Sequence, residues 1–361
     1  LTTKQVFDSW IVPVPAYVKF PSVRLRFNYR SILNQYKQIE KTEQISCLNP
    51  LSTNFLSKRM PKKAQREKFI GVACALSVVV LWSGFLILSR YGAARTLTAY
   101  DLAGLRFGVS GIIMLPFLIR NGFGGLKPAQ IATISLTAGP FFALCAYAGL
   151  SLAPAAHGAV LLPGTLPLFT TLLAVLFFRE TLGANRIFSL VMILGGIGLM
   201  AKDSLAFSAP GQGWGDLLFI CGSISWAIFT VLARAWQITP LKATAVIAVM
   251  SMVVYIPIYI LFLPSTLLTA PLNEVLLQGI YQGFFVVIVA LLAYTRAISA
   301  LGPIVTTMIT AATPGIAASA AVPLLGEPIS SAVGIGIILV TAGMVGAVIG
   351  LHRSDDKKSR G

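Results

Sequence analysis

The chain has 361 residues, of which 56% are hydrophobic and 11% charged, against about 25% charged in an average soluble domain. Twelve acids and two histidines leave little for aqueous acid–base chemistry. The net charge of +16 sits mostly outside the apolar stretches: seven Lys or Arg in residues 1–57, six in 58–68 and four in the last nine. That placement argues against a folded nucleic-acid-binding face and for membrane-topology signals.

Residues 1–67 form a basic, non-membrane segment with no apolar run long enough to span a bilayer or serve as a signal sequence. Met60 opens "MPKKAQREKF", a short basic leader. Residues 1–59 are expected to be either upstream translation of the reading frame or a tail without a fold. A spanning helix needs roughly 20 mostly apolar residues. Segments of that kind lie near 69–89, 99–119, 130–151, 156–178 and 184–201, then 215–235, 242–263, 274–299, 303–325 and 330–351. Breaks such as "RNGFGGLKP", "SLAP", "RETLGANR" and "LGEP" separate them. The expected fold class is all-α, a polytopic membrane protein of ten helices. Cys47, Cys74, Cys145 and Cys221 are scattered without CxxC spacing, so neither a disulfide framework nor a metal site is indicated.

With the N-terminus inside, the cytoplasmic segments carry 17 Lys or Arg and the opposite ones three, Arg90, Arg95 and Lys202. The positive-inside bias therefore predicts that both termini are cytoplasmic.

The sequence repeats itself. Trp82…Arg90 near the end of the first span matches Trp226…Arg234 near the end of the sixth. Tyr147 matches Tyr294, Pro154 matches Pro303, Pro167 matches Pro314, Glu180 matches Glu327, and Gly196 matches Gly343, all at offsets of 144–149. Each half holds five spans, an odd number, so the second half must be inverted relative to the first. Inverted repeats are an architecture of alternating-access transporters, with the binding site near midplane between the halves. The units are placed at 68–201 and 215–351, followed by a cytoplasmic basic tail at 352–361.

Arg106 in "LRFGVSGIIML", "PGTLPLFTTLLAVLFFRETL" (163–182) and "ATPGIAASAAVPLLGEPIS" (312–330) resemble the EamA type of the drug/metabolite transporter superfamily. The resemblance covers residues 68–351 and implies ten helices in two five-helix units. "FRET" stands where the first unit of that family usually has "GE", and the acid is kept.

Arg106 is the only basic residue well inside a span. A lone cation in hydrocarbon costs several kcal/mol, so it should face the bundle interior. It either pins helices together or contacts a substrate carboxylate. Asp101, five positions away, is poorly placed to pair with it on one helix. Glu180 and Glu327 end the fourth and ninth spans at opposite faces, and are expected to bond the amides that start the following helices. His157 is the only histidine in the bundle, serving as a substrate or proton site or as a satisfied polar residue at a helix start. Pro163, Pro167 and Pro314 interrupt two repeat-related spans, which points to a central cavity. Trp82 and Trp226 lie too deep for interfacial anchors, and with Tyr147 and Tyr294 they either line a solute route or pack the core. Gly104–Gly108 and Gly346–Gly350 allow close helix approach, within the chain or across a homodimer.

Spans one and six hold no interior glutamate, unlike the small multidrug exporters of the superfamily it resembles, and no span holds an interior lysine, unlike the sugar-phosphate exchangers; the resemblance therefore implies neither cationic-drug exchange nor a multiply charged phosphate substrate. HExxH and GxSxG motifs are absent, so no enzyme chemistry is visible. The expectation is a transporter of the bacterial inner membrane without cofactor or metal. It would move a small organic metabolite, an amino acid or relative. Export is implied by the resemblance alone. A ten-span receptor or sensor is the alternative, and an intramembrane enzyme comes third.

Overall fold

The computed structural model describes residues 62–178, 182–207 and 211–360; the expected tail at 1–59 and Glu180 lie outside them. Every described element is a helix. The first five spans are α1 (Lys62–Ala93), α2 (Ala99–Asn121), α3 (Pro128–Ala138) with α4 (Pro140–Leu152), α5 (Ala155–Gly164) with α6 (Leu166–Phe178), and α7 (Ala184–Phe207). The second five are α8 (Gln212–Ala235), α9 (Pro240–Phe262), then α10 (Leu272–Gln278) running through a π-helical segment (Gly279–Val289) into α11 (Ala290–Leu301), next α12 (Pro303–Thr310) with α13 (Thr313–Leu325), and α14 (Ser331–Arg360). Among the described residues eight stretches are long and apolar enough to cross a membrane, and spans five and ten carry the shorter apolar helices Ala184–Met200 and Ser331–Gly346.

Local sequence sets the boundaries. Thr98 and Asp101 form a reciprocal capping box that starts α2. Proline opens α3, α4, α9 and α12, where its missing N–H has no helical partner to lose. Gly326, at φ 69, ends α13 in a left-handed conformation that costs other residues more. Phe69, Ile112, Phe177, Phe188, Ile260, Phe262 and Ile338 are exposed, an apolar exterior suited to lipid.

The packing follows the sequence repeat. Span one packs on spans eight and nine; span six packs on three and four, the same arrangement with the units exchanged. Spans two and seven, four and nine, and five and ten each pack on their own counterpart. Equivalent glycines meet equivalent residues. A Cβ at Gly71 would meet Ala300 Cβ at 2.7 Å, and a Cβ at Gly215 would meet Ala153 Cβ at 2.7 Å. Gly196 lies against the Gly336 carbonyl and Val340, while Gly343 lies against the Ser189 carbonyl and Ile193. Gly196 and Gly343, Ser189 and Gly336, and Ile193 and Val340 are each separated by 147 positions.

These contacts also fix the sense of the repeat. Residue numbers rise along α7 from Ser189 to Gly196 while their partners fall along α14 from Gly343 to Gly336, so the two equivalent helices run antiparallel. A repeat axis along the membrane normal would make them parallel. The second unit is therefore inverted.

Three of the four glycines of the expected close-approach pairs face helices of the same chain. Gly104 and Gly108 face Tyr259 and Ile256 of α9, and Gly346 faces Ser189 of α7.

A side chain at Gly196 or Gly343 has to displace a backbone carbonyl 2.7 or 2.8 Å away. Gly196→Val and Gly343→Val are each expected to cost about 1–3 kcal/mol through overpacking. Gly195→Val, with nothing within 4 Å of its Cβ, should be tolerated. Thermal unfolding in detergent measures the difference, and equal midpoints for Gly195→Val and Gly343→Val would contradict this packing.

Candidate functional site

Ten alternating spans put the ends of odd-numbered spans and the starts of even-numbered ones at one end of the bundle. Polar contacts join them there. Arg90, near the end of α1, pairs its Nε with Glu327 Oε1 at 2.6 Å, and its Nη1 donates to the carbonyls of Leu150 (2.7 Å) and Ser151 (3.2 Å) at the end of α4. Glu327 Oε2 accepts the Ala155 N–H at the start of α5 at 2.8 Å. One ion pair thus caps a helix C-terminus and a helix N-terminus together, tying spans one, three, four and nine. This corrects the expectation that Glu327 serves the helix following it. The left-handed turn at Gly326 precedes Glu327, whose carboxylate reaches α5. Ser330 Oγ instead accepts the Val333 N–H of α14.

Two further clusters lie at this end. Asp101 is fully buried; its carboxylate accepts from Tyr259 and Ser265 on one oxygen and from Thr98 and Thr266 on the other. His157 Nδ1 lies 2.9 Å from Asp216 Oδ1, both side chains largely buried, joining spans four and six. At the opposite end Glu67 pairs with Arg296, with side chains 46% and 40% exposed. Towards that end Arg186 Nε also donates to Thr171 Oγ1 at 3.1 Å, joining the fourth and fifth spans.

Arg106 lies about 10 Å along α2 from its start, at 1.5 Å per residue. It is buried, with its guanidinium 5.7 Å from the centre of the Phe85 ring and near the Tyr147 hydroxyl. Tyr147 is fully buried; its ring packs at 5.9 Å on Phe85, and its hydroxyl donates to Gln282 Oε1 at 3.4 Å. Gln282 Nε2 donates to Ser89 Oγ (2.9 Å) and Gln278 Oε1 (3.1 Å), and Gln278 Nε2 donates to the Leu88 carbonyl (2.6 Å). A continuous polar chain thus runs from span two through three and eight to one.

The six expected binding residues do not form one cluster. Arg106 and Tyr147 come together. Trp82 packs on Tyr294 at 5.6 Å, in spans one and eight. Trp226 instead packs on Phe142 at 4.6 Å and Phe229 at 5.3 Å. His157 is engaged with Asp216 at the Arg90–Glu327 end. Span four is interrupted at Thr165, after Pro163 and ahead of Pro167, and span nine at Ala311 and Ala312, ahead of Pro314. Glu180 lies outside the described residues.

Gln278, Gln282, Ser89 and Asp216 were missed from sequence. Two glutamines four apart in an otherwise apolar span place both amides on one helix face, a readable signal. Ser89 and Asp216 carried none, because a serine in a span and an acid near a span end are both ordinary.

An all-helical bundle built from two inverted units around a buried polar chain is the architecture of membrane transporters. The chain belongs to the EamA-like transporter family, whose pattern matches twice, over residues 69–202 and 213–349. An S-adenosylmethionine uptake transporter of Rickettsia bellii is 30% identical over 172 residues, 47% of this chain and 57% of that protein. The chain thus spans little more than half the length of that relative. The uncharacterized inner membrane transporter YedA of Escherichia coli K12 is 26% identical over 280 residues, 74% of this chain and 89% of that protein. A solved crystal structure shares the fold with a TM-score of 0.54 at 20% identity, over 80% of this chain and 98% of that one. Family membership sets the chain among transporters and not enzymes.

Arg90 and Glu327 can be tested as a coupled pair. Glu327→Gln and Arg90→Gln are each expected to lower stability by roughly 1–3 kcal/mol, the range for losing a charged hydrogen-bond partner. The double variant should cost clearly less than the sum, as residues in one network do. Denaturant or thermal unfolding of all four proteins checks this, and strict additivity would show that the pair does not act as a unit.

Proposed function

We propose that this transporter carries amino acids or closely related metabolites across the bacterial inner membrane by alternating access. The observation that carries the reading is the inverted, interlocked pair of units. Units that interlock symmetrically can open toward either face, and Arg90–Glu327, Asp101 and His157–Asp216 tie the spans together at one of them. The 17-to-3 charge count supports cytoplasmic termini, with the Arg90–Glu327 end then extracytoplasmic. A periplasm-active reporter should then be silent after Gly350 and active near Gly211. The reverse pattern would overturn this orientation.

The substrate class draws on two supports. The Rickettsia relative is named for S-adenosylmethionine, itself an amino-acid derivative. Arg106 and the half-buried Trp82 and Trp226 offer a cation and aromatic faces to such a solute, with Tyr147 and Tyr294 beside the route. YedA's inner-membrane placement supports the same membrane here. The family resemblance favours export and the Rickettsia relative is named for uptake; an alternating-access cycle runs either way, as gradients dictate.

Reconstituted vesicles loaded with labelled amino acids or S-adenosylmethionine, with and without a pH gradient, test this directly. Trp82→Ala and Trp226→Ala are expected to lower transport severalfold while protein level and detergent stability stay near wild type. A core tryptophan cut to alanine would cost roughly 3–5 kcal/mol and appear as lost folded protein instead. Stable variants with undiminished transport would remove both tryptophans from the route.

A further inference from the structure

The buried polar chain has a direction. The Leu88 carbonyl accepts from the Gln278 amide, Gln278 Oε1 accepts from the Gln282 amide, and Gln282 Oε1 accepts the Tyr147 hydroxyl proton. Tyr147 therefore donates to Gln282 and leaves its oxygen free to accept from the nearby guanidinium of Arg106. Each bond orients the next, and the chain ends on a cation.

That cation is not neutralised. Arg106 is 8% exposed, and among the described residues no carboxylate is ion-paired with it. Asp101, on the same helix, has both oxygens engaged by Tyr259, Ser265, Thr98 and Thr266. The other partners of Arg106 are a neutral hydroxyl and the Phe85 ring face. A ring and a hydroxyl orient a guanidinium without cancelling its charge. A single anion would relieve the cost of a buried charge and use the remaining N–H groups. A guanidinium offers five donors in a planar fork that matches a carboxylate bidentately. One positive charge with no second cation described beside it fits a monoanion better than a phosphate.

We propose that Arg106 is the recognition point for a carboxylate group on the transported solute, with Tyr147, Gln282 and Gln278 as positioning residues that hold the guanidinium toward it. The inference rests on the transporter reading above and names the substrate group that reading leaves open. Gln282 sits in the π-helical segment, whose wider turn is often found at functional positions. Gly283 next to it approaches Val109 of α2 so closely that a Cβ would lie 2.5 Å from the valine Cβ. Spans eight and two are thus in direct backbone contact beside the site, so motion of span eight during transport would alter the distance from Gln282 to Arg106.

The test uses the full chain in detergent and in vesicles, with L-methionine and L-phenylalanine as probes and their carboxamides as matched controls; chloride and inorganic phosphate are the alternative anions. The free amino acids should raise the thermal midpoint and the carboxamides should not. Arg106→Gln should abolish that rise, and Arg106→Lys, which keeps the charge and loses the fork, should weaken apparent affinity at least tenfold. Gln282→Leu should raise the half-saturating concentration for the acids more than it lowers maximal rate, and Gln282→Asn should recover part of it.

Equal responses to acid and amide, a rise produced by chloride or phosphate alone, no rise with either amino acid, or an unchanged response in Arg106→Gln would each overturn the proposal. If both Arg106 variants fail to fold, the acid-against-amide comparison on the wild-type protein decides alone. Transport of uncharged solutes without any carboxylate effect would sink this inference and leave the transporter reading standing. Arg106-dependent carboxylate binding with no solute movement would do the opposite.

Discussion

Helices in lipid gain little by hiding apolar surface against one another, because the tails around them are as apolar as leucine. What holds them is how closely their backbones approach, and that is decided by where side chains are missing. Gly71 against Ala300 and Gly215 against Ala153 bring span one to eight and span six to three; Gly196 and Gly343 seal five to ten. These contacts cross between the units, so neither unit buries its own faces without the other. The interlocked arrangement, the inversion and the central polar chain all depend on this close approach.

The two-fold order of the scaffold is not carried into the polar and aromatic interior. Trp82 and Trp226 occupy equivalent sequence positions, yet one packs on Tyr294 and the other on Phe142 and Phe229. Tyr147 is fully buried between Phe85 and Gln282, whereas its counterpart Tyr294 is half-buried. A symmetric frame around an asymmetric interior is the physical requirement for two states of similar energy, since the same close contacts can be kept while the interior is rearranged. The Arg90–Glu327 end is held by polar contacts that a rearrangement would have to break. Its ion pair is partly exposed, 21% and 16%, so its opening does not require a fully buried charge to be abandoned.

Much of the frame was legible in the sequence because membrane helices advertise themselves by length, apolarity and flanking charge. The repeat was readable from sparse residues that an apolar stretch has to keep for a reason, namely Trp82, Arg90, Tyr147, Gly196 and their partners. Span three's break at Gly139 and Pro140 carried a signal in "AGPFF" that the span count passed over. The π-helical segment carried none, since "GIYQGFFVVIV" has no proline and its geometry goes with the fit of Gly283 against Val109. The site was less legible than the fold. Arg106 stood out as a charge in hydrocarbon, but its partners come from spans one, three and eight, and no spacing rule within one helix brings them together. Arg90 marked the repeat without revealing that it meets Glu327, 237 positions away.

The central claim is that inverted, interlocked units open their two ends alternately, and distances across the ends test it most directly. Spin-label pairs at Leu152 and Leu324 report on the end tied by Arg90 and Glu327, and pairs at Lys68 and Ser299 report on the other. Pulsed electron–electron measurements in lipid, with and without solute, should give two distances for each pair, the longer at one end accompanying the shorter at the other. A single unchanging distance at both ends, or two ends that widen together, would contradict alternating access by this bundle.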